Sequence, residues 1–403
     1  MNNRSTKFVF NLESLLFLVV TILFLLSKVV QTDLNQFLFG FLLLVYIILL
    51  FNNIKNILRL QKYYFFLFLY ILILTVYGVV NNNFISYILV DIFSFFSFLF
   101  IFMTYKTANR EIFFFNFFPK LGVYINLFSI LFVFYSISIN GLNFASIAFG
   151  RGLDDIGGNP LMSPKYLLYG SLFLYPMIGY LKSKMSRFIY NFAIFLFFIF
   201  SIAMASRGTV IISLIIIILT NLSEKGLRFR LKTFISKKFI SYIFIFISTV
   251  ILLYQIPKIE LATDYLIYRF TEESTGEERS LEASEIYDNL STSEFIFGKG
   301  IGAANSYWIF SQTPNGVNNT HFGWMFLILK GGVLFLLFVY GKIILSIIKL
   351  YRHEKLIPYS ITLLSFLLLE LSHTNFNSYY RLMFLFIALS ASSLNLNTKK
   401  NEY

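Results

Sequence analysis

Blocks of Leu, Ile, Phe and Val near 20 residues long alternate along this chain with short polar breaks, and one polar stretch is far longer than the others. A helix rises 1.5 Å per residue, so a block of about 20 apolar residues crosses a hydrocarbon core of about 30 Å. The pattern predicts about twelve such helices, at 12–30, 36–51, 63–80, 84–105, 121–139, 166–181, 188–205, 209–221, 239–256, 322–350, 356–371 and 379–396. The eighth is short for a full crossing. The Phe-rich run Ile112 to Phe118 can lie in the membrane interface rather than span. The fold class that follows is all-α, a polytopic integral membrane protein of about 12 transmembrane helices with one large outward loop between spans nine and ten. Residues 1–256 hold spans one to nine and a smaller outer loop at 140–165, residues 257–321 form the large loop, and residues 322–403 hold spans ten to twelve and a tail. The halves show no convincing internal repeat.

Composition agrees. The chain of 403 residues is 57% hydrophobic and 13% charged, whereas a soluble domain carries about 25% charged residues. With no cysteine, disulfides and thiolate metal sites are excluded. Arg4 and Lys7 before an apolar run resemble a signal sequence, but no small-residue cleavage site follows, so the run is expected to stay as the first transmembrane helix.

The net charge of +13 suggests an anionic partner until its distribution is read. With both termini in the cytoplasm, the inside segments hold most of the Lys and Arg, including the basic stretch 224–238; the opposite orientation would place that stretch outside. The positive charge is then a topology signal, and nucleic acid is excluded as a partner. The large loop, by contrast, holds ten of the 20 acidic residues: Glu260, Asp264, Glu272, Glu273, Glu277, Glu278, Glu282, Glu285, Asp288 and Glu294. A bilayer protein with one large hydrophilic segment does its aqueous work there or at the membrane face beneath it.

Few residues on the outer side can carry chemistry. Arg207, in the tight turn Ser206-Arg207-Gly208, has lost much of its water and needs an anion, and a guanidinium suits phosphate oxygens. An arginine anchoring a helix end to lipid headgroups is the commoner role for such spacing. Of three histidines, His353 lies in a charged cytoplasmic turn, His373 follows Glu370 near the outer end of span eleven, and His321 stands where the large loop meets span ten. There a neutral imidazole can take a proton from a sugar hydroxyl, although a lone histidine is more often structural. No histidine pair has zinc-ligand spacing. Asp91, Lys330 and Glu370 fall in or near spans, where ionisable residues are functional candidates by default and are also what a transporter carries. Gly298, Gly300 and Gly302 lack the Lys-Ser/Thr ending of a phosphate loop and read as loop-shaping.

Taken in order, four outer segments resemble the O-antigen polymerase and ligase family of bacterial envelope proteins. Arg151 with Gly157-Gly158-Asn159-Pro160 is similar to the family's Arg-then-Gly-Asn-Pro-Asn stretch, with Leu161 in place of the last Asn. Ser206-Arg207-Gly208-Thr209 resembles its Ser-Arg-Gly turn. Glu278-Arg279-Ser280, leading to Phe297-Gly298-Lys299-Gly300-Ile301-Gly302, resembles its arginine and glycine run. His321 with Gly331-Gly332 resembles its His-Asn and Glu-x-Gly-x-x-Gly ending, although Phe322 replaces the Asn and Lys330 the Glu. The resemblance covers roughly 141–340. It implies a glycosyltransferase without metal or other cofactor at the outer face of the inner membrane, acting on undecaprenyl-pyrophosphate-linked oligosaccharide as donor and acceptor. In that reading His321 is the catalytic base or orienting group, and Arg207, Arg279 and Arg151 bind pyrophosphate or glycan. A chain-length regulator is a further expected partner. A polymerase is favoured over a ligase acting on lipid A core, and a lipid-linked glycan flippase or transporter is the alternative from another class.

Overall fold

The computed structural model describes residues 62–96, 110–140, 165–203, 206–223, 275–305, 322–371 and 378–394, together with Thr320, Phe376 and six isolated positions between Val19 and Ile48. The expected spans at 12–30, 36–51 and 239–256 otherwise lie outside the described residues. The described elements are helical, with no strand among them. In chain order they are α1 (Lys62–Val80), α2 (Ile85–Phe96), α3 (Phe118–Asn140), α4 (Lys165–Leu174), α5 (Lys184–Ala203) and α6 (Arg207–Ser223). Then follow α7 (Thr275–Asp288), α8 (Thr292–Phe297), α9 (Gly323–Tyr351), α10 (Ile357–Glu370) and α11 (Tyr379–Ala391). Four helical stretches, 63–80, 110–138, 184–202 and 323–351, are long and apolar enough to cross a membrane, and shorter apolar helices accompany them.

The Phe-rich run at 112–118 does not lie apart from a span. It forms a π turn, Phe113–Phe117, that runs straight into α3, and Phe113, Phe114 and Phe118 are core residues. Pro119 is the physical cause. A proline inside a helix lacks the N–H that its preceding turn requires, and a π turn relieves the clash. The N–H of Phe118 therefore reaches back to the Phe113 carbonyl. The Phe114 carbonyl is left without a helical donor, and the Tyr359 hydroxyl of α10 fills that role at 2.7 Å. Tyr190 likewise donates to the Pro119 carbonyl at 2.8 Å, and Tyr180 donates to the carbonyl of Lys355. These contacts gather Lys120, Lys182, Lys184, Arg187, Arg352 and Lys355 at one end of the bundle.

Span ten, expected as one helix over 322–350, is broken. Gly332 takes φ 71°, ψ −179° inside α9, a region open to glycine and strained for side chains. The two halves fold back toward each other, as one carboxylate proves. The Glu370 Oε2 lies 3.4 Å from the Tyr340 hydroxyl and only 1.3 Å from where a Cβ on Gly323 would stand. In a straight helix those two residues would be about 25 Å apart. Here they are separated by no more than a tyrosine side chain and one contact, so α9 is a V with its elbow at Gly332.

The elbow frees carbonyls, and the polar segment supplies their donors. Lys299 N–H donates to the Leu329 carbonyl at 2.8 Å and Gly300 N–H to the Lys330 carbonyl at 3.0 Å. The Tyr70 hydroxyl of α1 donates to the Gly331 carbonyl at 2.9 Å. The segment expected as a large loop is thus, over 275–305, two helices and a glycine turn seated in the elbow of α9.

Candidate functional site

The glycine turn is the best-defined feature of the predicted site. Gly298, Gly300 and Gly302 have φ of 81°, 89° and 81°, a region that glycine enters at no steric cost. Close approach adds a second constraint: a Cβ on Gly298 would stand 2.5 Å from the Lys330 carbonyl oxygen, and one on Gly300 2.5 Å from the Gly78 nitrogen. Every amide from 298 to 303 has a partner. Gly298 donates to Glu294, Lys299 and Gly300 to the elbow, Ile301 to the Leu74 carbonyl at 3.0 Å and Ala303 to Gly300. Gly302 donates to Asp91 Oδ2 at 2.8 Å. From the α1–α2 turn, Asn81 and Asn83 donate to the carbonyls of Lys299 and Ile301.

Beneath the turn lies a buried ion pair. Lys330 Nζ stands 2.8 Å from Asp91 Oδ2, with both side chains fully buried, and it also donates to the Ala303 carbonyl. An unpaired charge in such surroundings is severely unfavourable. The pair is tolerated because the carboxylate receives an ammonium and an amide while the ammonium has a carboxylate and a carbonyl. Lys330 is thereby committed to holding α2, α9 and the glycine turn together.

Two further charged groups are enclosed by the bundle. Glu370, at the end of α10, is fully buried between the halves of α9. Arg381, in the first turn of α11, is 7% exposed and places its guanidinium 4.0 Å from the centre of the Tyr169 ring, a cation–π contact. Within the polar segment Glu282 is 2% exposed and accepts from Asn305 at 2.8 Å, so one carboxylate of the acidic stretch is structural.

The other predicted residues are described less fully. Arg207 opens α6 and Arg279 lies in α7 as backbone positions, their side chains outside the described residues. His321, Arg151 and His373 lie outside the described residues altogether. The neighbours of His321 are described: Thr320 is buried, its hydroxyl donating to the Phe322 carbonyl. Among the described residues, no group of three or more His, Asp or Glu gathers to hold a metal ion. Asp91 and Lys330 each stand out in the sequence as charges in apolar blocks, with nothing to mark them as partners; Tyr70 carries no such mark, and for Asn81 and Asn83 the signal is the Asn81-Asn82-Asn83 run between two apolar blocks.

No protein-family model matches the chain, and a comparison with curated proteins gave no match.

Proposed function

We propose that the protein is a polysaccharide polymerase, joining undecaprenyl-pyrophosphate-linked oligosaccharide repeats into O-antigen or a similar surface glycan at the outer face of the bacterial inner membrane. The observation that supports this most is the end of the bundle that two of the motif segments share. Arg207 opens α6 just beyond α5, whose other end carries Lys184 and Arg187. The segment bearing Arg279 and the glycine turn docks at that same far end, on the α1–α2 turn and the elbow of α9. In the reaction, an acceptor hydroxyl attacks the anomeric carbon of the donor, the bond to the pyrophosphate oxygen breaks, and configuration inverts. His321 receives the hydroxyl proton or orients that hydroxyl. Arg207 and Arg279 stabilise the charge growing on the leaving pyrophosphate, which counts most in a partly dry site, and Arg151 holds phosphates of the acceptor. Apolar helices accommodate the polyprenyl tail. Both termini are cytoplasmic in this reading, and a chain-length regulator is a partner.

A second reading, a lipid-linked glycan flippase or transporter, is favoured by one observation. A helix broken at Gly332 beside fully buried Asp91, Lys330 and Glu370 is the kind of construction from which transporter sites are built.

The test is a glycan-stained gel of envelope material from a strain lacking the protein, complemented with wild type, His321→Ala or Arg279→Ala. Collapse of the ladder to a single repeat, restored by wild type and by neither variant, is the expected result. Loss of all linked glycan with accumulation of long lipid-linked chains would indicate a ligase. An unchanged ladder in the deletion strain removes both enzyme readings.

A further inference from the structure

Four features of the segment around the glycine turn point to its surroundings. First, its backbone is closed to solvent in the chemical sense: all six amides from Gly298 to Ala303 are satisfied within the protein, as are the carbonyls of Lys299, Gly300, Ile301 and Ala303. Irregular backbone is tolerated at membrane depth only on that condition. Second, α8 divides by polarity along its length. Its start carries Ser291, Thr292, Ser293 and Glu294 in a capping box, while its end exposes Ile296 and Phe297, at 39% and 53%. Third, that apolar end abuts the elbow, since a Cβ on Gly332 would stand 2.0 Å from the Ile296 carbonyl oxygen. The elbow is flanked by exposed Leu334 and Leu337 of α9, and the turn it holds packs on Gly78 of α1, beside exposed Val76, Val79 and Val80. Both helices belong to stretches long and apolar enough to cross a membrane. Fourth, the side chain of Lys299 leaves the turn and donates to the Asn289 carbonyl at 2.9 Å, up at the polar α7–α8 corner, as lysines do when their stems lie in hydrocarbon.

We infer that residues 295–302 form a re-entrant plug sunk into the outer leaflet, with Ile296 and Phe297 contacting lipid acyl chains in one continuous apolar belt with α1 and α9. The occupant is the bilayer itself, because the patch continues the faces those two helices present and carries no charge of its own. Ser293, three residues before Ile296, remains in water. The inference stands whatever reaction the protein performs.

The chain has no cysteine, so single thiols introduced by Ser293→Cys, Ile296→Cys and Phe297→Cys can each be spin-labelled uniquely in proteoliposomes. Collision of the label with oxygen, which partitions into lipid, is compared with collision with a water-soluble nickel chelate. The expected result is an oxygen-to-nickel ratio several-fold higher at 296 and 297 than at 293. Nickel access at 297 equal to that at 293 would place the patch in water and overturn the inference. Low access to both probes would mean that a second copy or another protein segment covers it, and would overturn it equally. Phe297→Trp, with both native tryptophans changed to Phe, supplies an independent readout: quenching by brominated lipid is expected, and its absence refutes the plug.

Discussion

At the scale of single residues, the three glycines of the turn and the Asp91–Lys330 pair carry different kinds of constraint. The glycines are constrained by geometry: each has positive φ, and the crossing of Gly300 over Gly78 leaves no room for a methyl group. Gly300→Ala should therefore lower stability by about 2 kcal/mol or more, combining left-handed strain with overpacking. A wild-type melting temperature for this variant in detergent would contradict the close crossing. The ion pair is constrained by charge. Lys330→Met leaves a buried carboxylate without its counter-ion and should cost about 3–5 kcal/mol. Replacing both partners, as Asp91→Leu with Lys330→Met, removes the stranded charge and should recover most of that loss. The comparison is again a melt in detergent, and a double variant no better than the single one would show that the charges are not each other's main support.

At the scale of elements, several apolar blocks coincide with helices, because a backbone kept from water has to pair its polar groups within itself. The block at 63–80 is α1, Lys62–Val80, and that at 356–371 is α10, Ile357–Glu370. The elbow of α9 was not legible, since hydropathy averages over a window and is blind to φ; Gly331-Gly332 was its one trace, and glycines are common in unbroken membrane helices. The pairing of Asp91 with Lys330 was equally hidden: each is conspicuous in an apolar block, but nothing local says which distant charge it meets. Burial of Glu282 could not be read from an acidic, polar stretch. The spaced glycines stand out in the sequence, and the place where their turn docks does not.

The cap of α8 is a test at this scale. Ser291 accepts from the Glu294 amide while its own amide and hydroxyl donate to the Glu294 carboxylate. The Ser291 amide, chiefly, holds that carboxyl below its ordinary value. A depressed carboxylate stabilises the fold above the unfolded pKa, about 4.3, and the benefit is lost as pH falls through the lowered folded value. Ser291→Ala should thus weaken protection of the α8 amides by about 1 kcal/mol at pH 7. The difference from wild type should narrow in acid below the usual carboxylate range. Hydrogen exchange referred to intrinsic rates measures both; a gap that persists unchanged in acid would show that the Ser291 hydroxyl's bond to the carboxylate adds nothing to the cap.

For the whole molecule, the two ends differ in chemistry. One gathers Lys120, Lys182, Lys184, Arg187, Arg352 and Lys355 around the tyrosine-to-carbonyl contacts; the other carries the Asn81–Asn83 turn and the docked polar segment. The positive-inside rule predicts that the first end faces the cytoplasm. A thiol from Ser86→Cys, exposed at the start of α2, should react with an impermeant maleimide on cells whose outer barrier alone is opened. One from Ser183→Cys, before α5, should react only after full permeabilisation. The reverse pattern would invert the orientation and move the candidate site to the cytoplasm.

The elbow also bears on how such a chain is built. A stretch of 29 residues, as apolar as α9, enters a bilayer most simply as one straight helix, with every backbone carbonyl paired within it. Bending it releases the carbonyls of Leu329, Lys330 and Gly331, and their donors are Lys299, Gly300 and Tyr70, all upstream in the chain. Synthesis runs from the N-terminus, so α1 and the glycine turn exist before α9 emerges and can receive it as it bends. The donors that the bend requires thus all lie in the part of the chain that is made first.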